Sequence, residues 1–300
     1  MRFKQSVVLA TVTAALVAGP ALGCDGDSVD PSRMAVAGGS ITEILFALGA
    51  EDLIVAADRT SNYPAAASAF PSVGYVRALS AEGVLSLNPT LLIGEDDMGP
   101  PEVVAQIRGA GVETIVIPEQ HSAIGILAKV RCIGEIVGRQ DAAERLIAEK
   151  LTPISTKIAA QSARSRGTAP RGAVLLGLRD GAPLGAGLAT SGNGLLEMAA
   201  TENVFDTFSG WKPVSMEAML QANPTFFVVP ERGINDAGGL DELLKHPALR
   251  LTDAARNRQV IVLDGMAMLG FGPRTLESAA ALADAVHGTP RHRETLNGSM

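Results

Sequence analysis

Aromatic residues are scarce in this 300-residue chain, with two tyrosines and one tryptophan, so one placed at a cleft would stand out. Long runs of Lys or Arg are absent and the net charge is −7, which argues against nucleic acid or an anionic membrane as the main partner. Two cysteines, at 24 and 132, are too few for a disulfide framework. The four histidines, at 121, 246, 287 and 292, have no ligand partner three or four residues away, so zinc sites of standard spacing are missing. Gly-x-Ser-x-Gly, the Walker lysine and G-x-G-x-x-G are missing too, and an enzyme reading finds no specific motif to stand on. What remains, at 47% hydrophobic and 19% charged, is the composition of an ordinary folded globular protein.

Present instead is a repeated phrase. Ser80-Ala-Glu82-Gly-Val-Leu85-Ser-Leu-Asn88-Pro89-Thr90 recurs 135 residues later as Ser215-Met-Glu217-Ala-Met-Leu220-Gln-Ala-Asn223-Pro224-Thr225, with six of eleven positions identical. Each copy reads as a helix with Ser as N-cap and an acid in the first turn, stopped at Asn-Pro and followed by an apolar strand. Two similar α/β halves suggest two lobes closing on a ligand, because ligands favour the cleft between domains.

Arg2 and Lys4 precede an uncharged stretch from Ser6 to Gly23, the layout of a secretory signal, so the chain is expected to be exported. Ala21-Leu22-Gly23-Cys24 resembles a lipoprotein cleavage box, in which Cys24 becomes the lipidated first residue. Residues 25–32 read as a solvated tether. If Cys24 is lipidated or removed, Cys132 has no partner, and Val130 to Val137 looks like a helix that buries it.

Further along, Met34-Ala-Val-Ala37 reads as a strand, and Ser40-Ile-Thr-Glu43 as a capping box opening a helix through Leu48. Strands and helices then alternate, which means parallel sheet. A long helical stretch from Asp141 to about Ser165 is the expected connector between lobes, with Pro153 as a kink site.

Val73-Gly74-Tyr75-Val-Arg77-Ala-Leu79 stands ahead of the first repeat helix, at the cleft-edge position of an open α/β sheet. In an extended segment Tyr75 and Arg77 share a face. A free phenol has a pKa of about 10, but a neighbouring cation and a ferric ion both favour the phenolate, the condition for tyrosine ligation of haem iron. From these residues alone, a tyrosine capping a surface turn beside an unrelated solvated arginine is the favoured reading over iron ligation.

The segment Gly74 to Pro89 resembles the signature region of periplasmic haemin-binding proteins of bacterial ABC importers, as do Met268-Leu-Gly-Phe-Gly-Pro-Arg274-Thr and Glu231-Arg232-Gly-Ile-Asn-Asp-Ala-Gly-Gly-Leu240. The resemblance runs from Val36 to about Leu282. It implies two Rossmann-like lobes with central parallel sheets joined by one long helix: signal peptide 1–23, linker 24–32, first lobe 33–139, connecting helix 140–168, second lobe 169–288 and a loose tail 289–300. It also implies transport rather than catalysis, with haem b as the transported ligand, Tyr75 on its iron and Arg77 holding the phenolate. Met268, Leu269 and Phe271 would line the cleft, Arg232 and Arg274 would meet the propionates, and Glu82 and Glu217 would dock on a permease dimer. Contact with the membrane would come only through a lipid anchor. Cobalamin or a ferric siderophore is the rival ligand, since the wider superfamily shares the Glu-bearing helices.

Overall fold

The structure, a computed structural model, describes residues 30–164 and 169–288. The expected signal peptide, Cys24 and the tail from 289 lie outside the described residues. The first lobe runs β1 (Met34–Ala37), α1 (Gly39–Ala47), β2 (Ile54–Ala57), a small hairpin of β3 (Gly74–Tyr75) and β4 (Ala78–Leu79), α2 (Ala81–Leu85), β5 (Leu91–Glu95), α3 (Pro101–Gly109), β6 (Glu113–Ile117) and α4 (Ala123–Ile136). Its four larger strands pair in parallel in the order β2-β1-β5-β6.

A long helical segment leads out of this lobe, formed by α5 (Gln140–Leu146), a π-helical turn (Ile147–Leu151) and α6 (Thr152–Arg164). The widened turn ends just before Pro153. Proline lacks the N–H of the helical ladder and its ring crowds the carbonyl four residues back, and a π turn accommodates both without ending the helix.

The second lobe contains β7 (Arg171–Arg179), β8 (Ala182–Ala186), α7 (Ser191–Met198), β9 (Glu202–Asn203), β10 (Trp211–Pro213), α8 (Met216–Ala222), β11 (Phe226–Pro230), α9 (Glu231–Asp236), α10 (Leu240–Lys245), α11 (Asp253–Arg256), β12 (Val260–Leu263), α12 (Gly265–Leu269) and α13 (Pro273–His287). β9, β11 and β12 extend β7 in parallel, while β8 and β10 add an antiparallel edge.

Side chains alternate across each sheet as the pleat requires. Met34, Val36, Leu91 and Ile93 point into one buried cluster, and Ala35, Ala37 and Leu92 into another on the opposite face. In the second lobe Val174, Phe226 and Val228 join the first of these clusters, while Ala173, Leu175, Phe227 and Val229 form a third. The first cluster also takes Ile147, Leu151 and Ile158 of the connector and Leu276 and Leu282 of α13, so one core runs through both lobes. At about 25 cal/mol per Å² of apolar surface, exposing a few hundred Å² of it would cost several kcal/mol, which holds the lobes in a fixed relation.

Both repeat helices form as expected. Ser80 accepts from Gly83 N at 3.0 Å, and Ser215 from Ala218 N at 3.2 Å. α8 stops at Asn223 in the left-handed region (φ 38°), whereas α2 already ends at Leu85 with Ser86 as its C-cap and Asn88 turns left-handed (φ 46°) just beyond; neither asparagine takes the extended conformation usual before proline. Asparagine tolerates that conformation, and Asn223 fixes it by donating to Asp253 at 2.9 Å and accepting from Asp253 N at 2.9 Å.

Two expectations are corrected. The Ser40–Glu43 capping box does not form: Gly38 is the N-cap of α1 and no side chain caps it. Instead, Ser40 bonds Glu95 and Lys129 while Glu43 bonds Arg274, because this face of α1 packs against charged groups from elsewhere in the chain. Cys132 is buried as expected but is disulfide-bonded rather than unpartnered.

Candidate functional site

A cleft of about 740 Å³ opens between the lobes at the carboxyl ends of their parallel strands, where open α/β sheets bind ligands. The first lobe contributes Thr60 after β2, Tyr75 to Arg77 of the hairpin, Glu95 at the end of β5 with Asp96 and Asp97 beyond it, and Glu119 and His121 after β6. The second lobe faces them with apolar Leu176, Met266 and Leu269, with Trp211, the sequence's one tryptophan, and with Arg232.

The hairpin is held from beneath by the buried carboxylate of Asp58, which accepts from Val76 N at 3.1 Å and also from Gly38 N, Thr60 N, Thr60 Oγ1 and Ser61 Oγ. A backbone bond from Arg59 N to Gly74 O at 2.8 Å adds to this. Gly74 adopts φ 104°, and a Cβ there would stand 2.8 Å from Ala78 O, so the tight hairpin requires glycine. Strand β3 ends at Tyr75, and Val76 and Arg77 make the turn, so Tyr75 and Arg77 are not neighbours along one extended strand. Their side chains meet nonetheless: Arg77 Nη1 donates to Tyr75 Oη at 2.8 Å. Nη2 of the same guanidinium pairs with Asp97 Oδ2. Burial opposes the Arg77 charge, but Asp97 and Tyr75 outweigh it and raise the pKa.

Below the first-lobe wall lies a buried charged network that sequence reasoning missed. Lys129 Nζ donates to Glu119 Oε2 at 2.5 Å and to Ser40 Oγ at 3.0 Å, and Ser40 Oγ donates to Glu95 Oε1 at 2.6 Å. Burial raises the pKa of Glu119 to about 7, with Lys129 resisting, and raises that of Glu95 in the same way. Burial lowers the pKa of His121, which favours a neutral imidazole. The His121 ring packs 4.8 Å from Phe271, and a Cβ added at Gly194 would fall 2.4 Å from His121 O, so this loop is clasped between lobes. Lys129, Glu119 and His121 carry no spacing motif, and only the fold brings them together.

The remaining expected residues separate. Arg232 lines the cleft from α9, its side chain 90% exposed and paired with Asp236 at 3.4 Å. Met268 and Phe271 are fully buried in the shared core rather than in the cleft wall, which Met266, Leu269 and Gly270 supply. The short α12 turns alternate positions to opposite sides, so the lining is offset from the expected one. Arg274 is outside the cleft: its backbone N and Nε donate to the two carboxylate oxygens of Glu43 at 2.7 and 2.9 Å, Nη1 reaches Asp264 at 3.2 Å, and its guanidinium lies 3.8 Å over the Tyr63 ring. Glu82 and Glu217 are exposed in the first turns of α2 and α8, one on each lobe. Among the described residues no group of three or more His, Cys, Asp or Glu could hold a metal ion, and no helix is long and apolar enough to cross a membrane.

Comparison with known proteins agrees with this architecture. The family model described as periplasmic binding protein matches residues 34–267. The periplasmic heme-binding protein RhuT from Roseiflexus sp. RS-1, solved in its apo form, is 36% identical with a TM-score of 0.77, over 85% of this chain and 97% of its own. A periplasmic heme-binding protein from Pseudomonas aeruginosa is 35% identical with a TM-score of 0.77, over 85% and 92%. Among curated proteins, the uncharacterized ABC transporter substrate-binding lipoprotein YvrC of Bacillus subtilis (strain 168) is 22% identical over 265 residues, 86% of this chain and 81% of its own. These are binding proteins and not enzymes. The chain therefore belongs to the periplasmic binding protein family, as a two-lobed solute-binding protein closely related to solved haem-binding members.

Proposed function

We propose that the protein captures ferric haem b outside the cytoplasm and delivers it to an ABC importer, with the Tyr75 oxygen as the ligand to iron. The observation that carries this is the contact of Tyr75 with Arg77 inside an interlobe cleft. A guanidinium 2.8 Å from a phenol oxygen stabilises the phenolate by a charge-assisted hydrogen bond, and a phenolate is the form that binds ferric iron. Leu176, Met266, Leu269 and Trp211 offer the apolar wall that a flat macrocycle needs. Arg232 is the cation for a propionate, because an exposed arginine in a surface pair worth about 0–1 kcal/mol exchanges partners readily. The N-terminus of α7, at Thr190 and Ser191, adds the positive end of a helix dipole to the same wall.

The carboxylates of Asp96 and Asp97 on the first-lobe side suit a cationic metal centre and disfavour a polyanionic ferric siderophore. Glu82 and Glu217 are the groups proposed to engage arginines of the permease dimer, and Cys24 the residue proposed to carry a lipid anchor, as the name of the Bacillus relative suggests. Haemin, cyanocobalamin and a ferric siderophore, titrated separately into the purified protein, test the ligand. Haemin should quench Trp211 fluorescence and give a protein-bound absorption spectrum at equimolar addition, while the other two change neither. A haemin spectrum identical to that in buffer alone contradicts the proposal.

A further inference from the structure

We propose that Asp97 is a positioning residue that sets, through Arg77, how strongly the Tyr75 oxygen donates to the bound iron. The inference rests on the proposed ligation by Tyr75 and concerns a residue outside the Tyr-x-Arg segment.

Three observations converge on it. First, the Arg77 guanidinium is divided, with Nη1 on Tyr75 Oη at 2.8 Å and Nη2 on Asp97 Oδ2. A guanidinium is a rigid planar fork, so fixing one nitrogen aims the other. Second, the loop carrying Asp97 is tied to the hairpin carrying Tyr75: Gly99 N donates to Val76 O at 2.9 Å, and Leu79 N to Gly99 O at 2.8 Å. The position of Asp97 relative to Arg77 is thus set by backbone bonds. Third, the Arg77 side chain is 61% exposed, and its described polar contacts are with Tyr75 and Asp97, so little else fixes its rotamer. The other Asp97 oxygen, Oδ1, is buried without a hydrogen-bond partner, which leaves the carboxylate committed to Arg77 alone.

The carboxylate therefore does two things. It holds the fork, and it draws off part of the charge that would otherwise fall on the phenolate. Hydrogen bonds to an axial ligand tune a haem centre through the ligand's basicity. With Asp97 in place, Tyr75 stays a strong donor and ferric iron is favoured.

Asp97→Asn keeps an acceptor for the fork but removes the charge. In the haemin-loaded protein it should move the tyrosinate-to-iron charge-transfer band to shorter wavelength and raise the ferric/ferrous midpoint potential, with haem stoichiometry unchanged. Asp97→Ser should shift both in the same direction, and serves if the Asn variant folds poorly. In an Arg77→Ala background neither substitution should move band or potential, because the residue acts only through the guanidinium. A band and potential identical to wild type in both single variants would overturn the proposal, as would equal shifts with and without Arg77. Tyr75→Phe separates the two levels: if it removes the band while Asp97→Asn changes nothing, only the role of Asp97 fails; if it leaves the wild-type spectrum, the ligation and this inference fail together.

Discussion

Replacing Arg274 by alanine tests whether this arginine is a fastener between lobes rather than a ligand contact. Its side chain is 18% exposed and that of Glu43 is 7% exposed, so the pair is largely shielded from water. Removing one partner of a buried ion pair costs roughly 3–5 kcal/mol, because the other charge is left uncompensated. Here the lower end applies. Glu43 keeps the backbone N–H of residue 274 at 2.7 Å, and burial already raises its pKa against the pull of Arg274, so it can take up a proton. Loss of the Tyr63 stacking adds about 0.5–1 kcal/mol, and loss of the half-exposed Asp264 pair adds little. A total of about 3.5–4 kcal/mol should lower the melting temperature by roughly 7–16 °C for a domain of this size.

The pH dependence has a definite sign. In Arg274→Ala the folded-state pKa of Glu43 rises further above its ordinary value of 4.5, so the folded state holds a proton that the unfolded state releases. Stability then falls as pH increases through that window, and the deficit relative to wild type should be shallow near pH 5 and deep near pH 8. Thermal melts at both values read it, and haemin affinity should match wild type. A melting temperature unchanged at both values, or a deficit that grows on acidification, would refute the reasoning.

Glu119→Gln should flatten a fall in stability that the wild type shows as pH rises from about 4.5 to about 7, since the raised pKa of Glu119 corresponds to at most about 3 kcal/mol across that window; denaturant melts at the two ends measure it. Glu82→Gln combined with Glu217→Gln should bind haemin normally yet lose salt-sensitive association with the reconstituted transporter, as rim charges govern encounter and register; wild-type association would dismiss docking. Cys24→Ser should release the protein from the membrane or leave it misprocessed, read by membrane fractionation; mass spectrometry showing an unmodified N-terminus beyond residue 24 in the wild type would dismiss lipidation.

Much of the fold was legible because it rests on local signals. Capping serines, the Asn223-Pro224 stop and the period of Ala123 to Ile136 each act within a few residues, and the observed elements follow them closely, while the first repeat helix ends at Leu85, ahead of Asn88-Pro89. Tyr75 and Arg77 could be singled out for the same reason, being two apart in sequence. Ser40 and Glu43 show the limit, since a capping box and a pair of tertiary partners look alike until the opposing Lys129 and Arg274, 89 and 231 residues away, are placed. The same limit applies to Met268 and Phe271, where motif position did not reveal which side of a five-residue helix faces the cleft. Asp58, Asp97 and Glu119 carry no motif, and they gain their roles from strand order alone.

The most direct measurement is the absorption spectrum of haemin-loaded Tyr75→Phe beside wild type, because the substitution keeps the ring and removes only the oxygen in contact with Arg77. Wild type should show a tyrosinate-to-iron charge-transfer band, and Tyr75→Phe should lack it and release haem far faster. A variant whose spectrum and haem retention equal those of wild type would mean that iron is held by something other than Tyr75.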